Sequence, residues 1–243
     1  MDSPVWARTC LCAVALTAPN LTLAEATDEA AASIEAPARV VHAVGANALM
    51  RSLDSKDLGF GAQAEYRLRW PSEYQLGLSA SLLALEADRI AGYAAKDTRR
   101  VEVTALTGIP LGRTGPLALD LRAGLSYIHL SSDDQSLEDQ AASRAGIELG
   151  VIGSVTVTPR TSVRLGFSTP FAFELSPSGE LATGGTLVST GAGFAVTDSL
   201  LLRGDVETGG MFGFDGDGTK YETRVSVGLR WVSGQNARLF NVF

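Results

Sequence analysis

The sequence predicts an all-β protein: a single antiparallel up-and-down transmembrane β-barrel of about ten strands. Three observations lead there. From about residue 38 onward, apolar and polar residues alternate with period two in one segment after another, the mark of strands with two unlike faces. No helical period of any length appears. The links between segments alternate between short and long, as in a meander with tight turns at one end and loops at the other.

The first segment, "RVVHAVGANALMR" (39–51), alternates loosely. The second, "FGAQAEYRLRW" (60–70), alternates strictly, with Phe60, Ala62, Ala64, Tyr66, Leu68 and Trp70 against Gly61, Gln63, Glu65, Arg67 and Arg69. In "YQLGLSASLLAL" (74–85), Leu76, Leu78, Ala80 and Leu82 oppose Gln75, Gly77, Ser79 and Ser81. "RRVEVTALTGIPL" (99–111) sets Val101, Val103 and Ala105 against Arg100, Glu102 and Thr104. "LALDLRAGLSYIHL" (117–130) sets Leu119, Leu121, Leu125 and Tyr127 against Asp120, Arg122, Gly124 and Ser126. "RAGIELGVIGSVTV" (144–157) and "SVRLGFSTPFAFE" (162–174) follow, with Arg144, Glu148 and Arg164 on their polar faces. "GTLVSTGAGFAV" (185–196) is glycine-rich. "LLLRGDVETGGMFGF" (200–214) gathers Arg203, Asp205 and Glu207, and "YETRVSVGLRW" (221–231) gathers Glu222, Arg224 and Arg230. The short links are 70–74, 112–116, 158–161 and 196–199, all with turn chemistry. The long links fall near 51–58, 86–98, 131–143, 175–184 and 215–220.

Composition decides which face meets what. The chain has 243 residues and a net charge of −7, which argues against a general nucleic-acid binder. Arg outnumbers Lys 17 to 3 and Gly counts 26. A solvent face usually carries Lys and Glu and few glycines. Here the polar face is Gly, Ser, Thr and arginines spaced two residues from a carboxylate: Glu65 with Arg67, Arg100 with Glu102, Asp120 with Arg122, Arg203 with Asp205, Glu222 with Arg224. Small residues and forked Arg–carboxylate pairs suit a confined interior. The greasy face then meets lipid, where a basic residue at mid-depth costs roughly 2–4 kcal/mol. Closure removes the sheet edge that lipid forbids. Glu65, Arg67 and Arg69 are therefore expected to point inward and to pair with neighbours such as Arg100 and Glu102. Aromatics agree with this orientation. Trp70, Tyr74 and Trp231 fall on the greasy face at the turn end, and Phe60, Tyr127, Phe171, Phe173, Phe212, Phe214 and Tyr221 fall on it at the loop end, as two interfacial girdles would.

On this pattern the chain resembles the small bacterial outer-membrane β-barrel proteins. The resemblance implies an outer-membrane location in a Gram-negative cell, short turns in the periplasm and longer loops outside. It also implies contact with bilayer and lipopolysaccharide, and assembly by the outer-membrane insertion machinery. A signal peptide over 1–24 fits that address: Arg8 precedes an apolar run that ends on small Ala24 and Ala26. Both cysteines, Cys10 and Cys12, lie within it. Residues 25–38 read as a flexible periplasmic leader, 39–231 as the barrel, and 232–243 as a tail or the end of the last strand. No run of about 18 apolar residues exists, so no helix is long and apolar enough to cross a membrane.

Ten strands lie near the filled end of the barrel series, so the charged lumen is largely plugged by its own side chains. The expected function is a narrow polar, porin-like pore in a monomer. The alternative is a non-conducting barrel that presents its outer loops. A third reading is a hydrolase on the outer rim. His129, Ser131 and Glu138 resemble, in residue type, the His-x-Ser pair and Glu of the outer-membrane lipid A deacylases, though the Glu spacing is shorter. Asp133 and Asp134 near His129 resemble the omptin acid set in type, but they sit in one loop. His42 falls on the greasy face near an interface. Asp215 and Asp217 in "DGDGTKYE" (215–222) are the weak candidates for a metal, with too few ligands for a calcium loop. No cofactor is expected.

Overall fold

Residues 39–53, 57–90, 93–132, 142–176, 181–213 and 219–233 are described by a computed structural model. They form ten strands: β1 (Val41–Leu53), β2 (Asp57–Arg69), β3 (Gln75–Ile90), β4 (Tyr93–Thr114), β5 (Leu117–Ser132), β6 (Ala142–Thr158), β7 (Thr161–Ser176), β8 (Leu181–Ala195), β9 (Leu200–Gly213) and β10 (Thr219–Val232). Each pairs antiparallel with its sequence neighbours, and β1 pairs with β10 to close the barrel. At the seam, the Ser233 N–H donates to the His42 carbonyl at 2.8 Å, which carries the ladder past the last strand.

The alternation in the sequence becomes two faces of one closed sheet. Every strand exposes a large apolar residue outward, among them Val44, Tyr66, Leu78, Val103, Leu125, Leu149, Leu165, Val188, Leu202 and Leu229. Soluble monomers seldom expose an apolar patch above a few hundred Å², and this one girdles the molecule. Its solvent must be hydrocarbon. The opposite parity points inward and includes Arg69, Arg230, Gln75 and Asp120, each almost wholly buried.

The turn end is as tight as the sequence suggests. Between β2 and β3 the Glu73 N–H donates to the Trp70 carbonyl at 2.8 Å, with Glu73 at φ 67°. Gly115, at φ 55°, makes the turn into β5, where a residue without Cβ meets no penalty. The loop end differs in detail from expectation. Most residues read as long links continue the strands: β3 and β4 stay paired through Ala87↔Lys96 to Ile90↔Tyr93. The backbone ladder persists there although the alternation in the sequence fades. The longest link, 133–141, lies outside the described residues.

The inward face also holds apolar residues. Val41, Ala43, Ala195, Leu201 and Val232 cluster inside the turn end. Leu83, Leu85, Ile128 and Leu130 are buried toward the loop end. At both ends apolar side chains thus share the inner wall with charged ones at the same level, Val41 beside Arg69 and Leu83 and Leu130 beside Arg100.

Candidate functional site

The lumen gathers the charged side chains, and their ion pairs fall into three belts along it, with Glu207 of the middle belt directly opposite Arg224 of the loop-side belt. Nearest the turns, Arg69 and Arg113 meet Glu73, at 3.7 and 2.6 Å, with Asp120 within electrostatic reach of both arginines. The middle belt holds Arg67, Arg122, Arg164, Arg203 and Arg230 with Glu65, Glu148, Asp205 and Glu207. Toward the loops, Arg51, Arg100, Arg144 and Arg224 meet Glu102, Glu174 and Glu222. Among the described residues, two, five and four guanidiniums therefore face two, four and three carboxylates.

Glu65 is the centre of the middle belt. Arg67 Nε donates to its Oε2 at 3.0 Å and Arg230 Nε donates to its Oε1 at 2.8 Å. The second bond passes over a whole strand, since Glu65 is on β2, Arg230 on β10, and β1 runs between them. The residue of β1 paired with both is Gly45. A Cβ there would lie 2.7 Å from Glu65 Oε1, so only glycine leaves the passage open. The device recurs on the far wall. Arg164 of β7 and Asp205 of β9 bond across β8, and the residue opposite both is Gly191, where a Cβ would again run into the pair. Removing one partner from such a buried pair typically costs about 3–5 kcal/mol.

Toward the loops, Arg51 donates two bonds to Glu222, Nε at 3.0 Å and Nη2 at 3.1 Å. Arg224 reaches the same carboxylate, and Arg100 donates to Glu102 at 2.8 Å. Arg144 pairs with Glu174 at 3.1 Å. Between these belts the packing leaves room for water. Glu148, Glu207 and Arg224 keep side-chain exposures of 22%, 24% and 35%, whereas Arg69, Val232 and Leu201 at the turn end keep 0–1%.

Four of the five pairs read two residues apart on one strand form as such: Glu65 with Arg67, Arg100 with Glu102, Arg203 with Asp205, Glu222 with Arg224. Asp120 with Arg122 does not. Arg122 turns to Glu148 at 3.4 Å and Glu207 at 3.8 Å. The short Asp120 side chain stays among the turn-end arginines, which a bulge between Pro110 and Gly112 rearranges. Glu65 does not meet Arg100 or Glu102 either. Arg100 is level with Gly61, through Leu83, and Gly61 is four residues, about 13 Å, along β2 from Glu65.

No family model matches the chain, and no curated protein matches it in sequence. Solved structures with similar architecture are outer-membrane barrels. The outer membrane protease OmpT from Escherichia coli is 12% identical, over 81% of this chain and 97% of its own, with a TM-score of 0.40. An outer membrane channel from Pseudomonas putida F1 is 14% identical, over 83% and 98%, at 0.46. The beta domain of the Bordetella autotransporter BrkA is 11% identical, over 79% and 98%, at 0.47. The closed meander with its outward apolar girdle is a barrel of the bacterial outer-membrane type.

Candidates outside the lumen are placed as follows. His129 and Ser131 share the outward face of β5 with Tyr127 near the loop end. His129 Nδ1 lies 3.3 Å from Ser143 Oγ, which also bonds Tyr127 at 3.0 Å. Ser143, on the adjoining strand, was not among the residues singled out from sequence; its position directly opposite His129 depends on register. Glu138, Asp133 and Asp134 lie outside the described residues, as do Asp215, Asp217 and Phe214. Among the described residues no group of three His, Cys, Asp or Glu converges to hold a metal. His42 faces outward and bonds the Tyr66 hydroxyl at 2.7 Å. Trp70, Tyr74 and Trp231 ring the outside at the turn end. Phe60, Tyr127, Phe171, Phe173, Phe212 and Tyr221 ring it at the loop end.

Proposed function

We propose that the chain is exported by a signal peptide, is assembled into the outer membrane by the insertion machinery among bilayer and lipopolysaccharide, and works there as a monomeric narrow polar pore. The turns face the periplasm and the loops face outward. The observation that carries the pore reading is the partly open charged lumen, where Glu148 and Glu207 of the middle belt and Arg224 of the loop-side belt stay accessible inside an otherwise filled barrel. Solutes small enough to pass between paired side chains fit it; a ten-stranded barrel leaves no wide channel. Single-channel recording in a planar bilayer tests this. Discrete small conductance steps are expected from the purified, folded chain.

The turn-end belt favours a second reading. Val41, Leu201, Val232 and Arg69 shut that end to about 0–1% exposure. A barrel that stays sealed there is a non-conducting scaffold for its loops. Electrical silence in the same recording, from protein whose gel mobility still shifts on boiling, selects it. Recovery of the chain as a soluble periplasmic protein rejects both.

A further inference from the structure

We propose that the middle belt binds a small oxyanion of the phosphate or sulfate class, with Arg122 as its main ligand, and that the lumen therefore prefers anions. The preference in transport rests on the pore reading; binding does not.

The chain as a whole is acidic, at −7. Among the described residues its lumen is not, since the ion-paired belts hold more guanidinium than carboxylate. The middle and loop-side belts each hold one guanidinium more than carboxylates, and in the middle belt Arg122 is the loosely held one. Arg67 and Arg230 share Glu65 at 2.8–3.0 Å, and Arg164 and Arg203 share Asp205. Arg122 has only loose partners, Glu148 at 3.4 Å and Glu207 at 3.8 Å, and its buried Nε has no hydrogen-bond partner. The guanidiniums of Arg67 and Arg164 lie close enough to repel Arg122, and those of Arg67, Arg164 and Arg230 lie close enough to repel one another. Like charges held together in a half-dry space make a well for an opposite charge. The donor geometry narrows the class: a guanidinium fork with a free Nε–H matches two oxygens of a tetrahedral oxyanion better than a lone halide. Glu148 and Glu207 are wet enough to turn aside as the anion enters.

The test uses the folded full barrel in detergent and in planar bilayers. Inorganic phosphate, compared with chloride at equal ionic strength, should raise the unfolding temperature by roughly 3–6 °C at about ten times its dissociation constant. Arg122→Gln should abolish the rise, and Arg122→Lys should keep the charge but weaken binding. Arg144→Gln, outside the belt, should leave the rise intact. In bilayers a salt gradient should give a reversal potential of anion sign, which Arg122→Gln moves toward zero. If Arg122→Gln does not fold, the lysine variant carries the comparison. A silent barrel with an Arg122-dependent rise sinks the pore and keeps the site. A cation-preferring channel without any rise sinks the site and keeps the pore. A rise unaffected by either Arg122 variant overturns the assignment, because phosphate is then bound elsewhere.

Discussion

Replacing Glu65 with alanine takes one carboxylate from two guanidiniums at once. Arg67 holds Oε2 at 3.0 Å and Arg230 holds Oε1 at 2.8 Å, and Glu65 and Arg230 keep side-chain exposures of 4% and 1%. Little water can take the carboxylate's place beside Arg230. Breaking one partner from a buried pair costs about 3–5 kcal/mol, and a barrel of this size would melt on the order of 6–20 °C lower. Glu65→Gln keeps the volume and one acceptor oxygen, so its loss should be smaller. The assay is loss of the fast-migrating folded band with temperature, run on wild type and both variants. In a conducting barrel the alanine variant should also shift selectivity toward anions, because the wall loses a negative charge. Melting within about 1 °C of wild type, with conductance unchanged, would refute the reasoning: the charges would then be facing bulk water, unpaired in effect.

The remaining predictions address the two faces and the glycine passages. Leu78→Arg, on the outward face at 53% exposure, should impair insertion by roughly 2–4 kcal/mol, while Ser79→Arg, one residue on and inward, should be milder; equal yields of folded barrel would mean the faces are reversed. Gly45→Ala should cost about 1–3 kcal/mol by pushing a Cβ into the Glu65 carboxylate. Gly112→Ala, whose Cβ would meet nothing within 4 Å, should melt like wild type; matching losses at both positions would show that strand glycine, not the passage, matters.

The two faces were legible because strand side chains alternate wherever the ladder is regular and lipid punishes a charge placed on the wrong side. Phe60 to Trp70 reads out its own orientation. The partners were less legible. A pair two residues apart on one strand is visible in the sequence, as with Arg203 and Asp205, but Arg230 with Glu65 depends on which residues the closing seam sets side by side. The Asp120 and Arg122 misreading has the same source. The apolar part of the inner wall left a signal that alternation alone passes over: doublets such as Leu82–Leu83 and the run Leu200–Leu202 show both faces apolar at once. Strand ends were blurred because Ala87 to Ile90 and Tyr93 to Lys96 continue the ladder without a clear apolar–polar alternation in their sequence.

Gly45 has a consequence for how the chain finds its closed form. The first and last strands can slide past each other while still making backbone bonds. A slide of one residue would turn Arg230 into the lipid. A slide of two would keep it inward but set it beside Ala43 or Asn47, whose side chains stand where the guanidinium must cross. Only one alignment offers a gap with a carboxylate behind it. The glycine thus works as a keyhole, and the ion pair as a bolt that slides home only when the two ends of the chain have met in the right place.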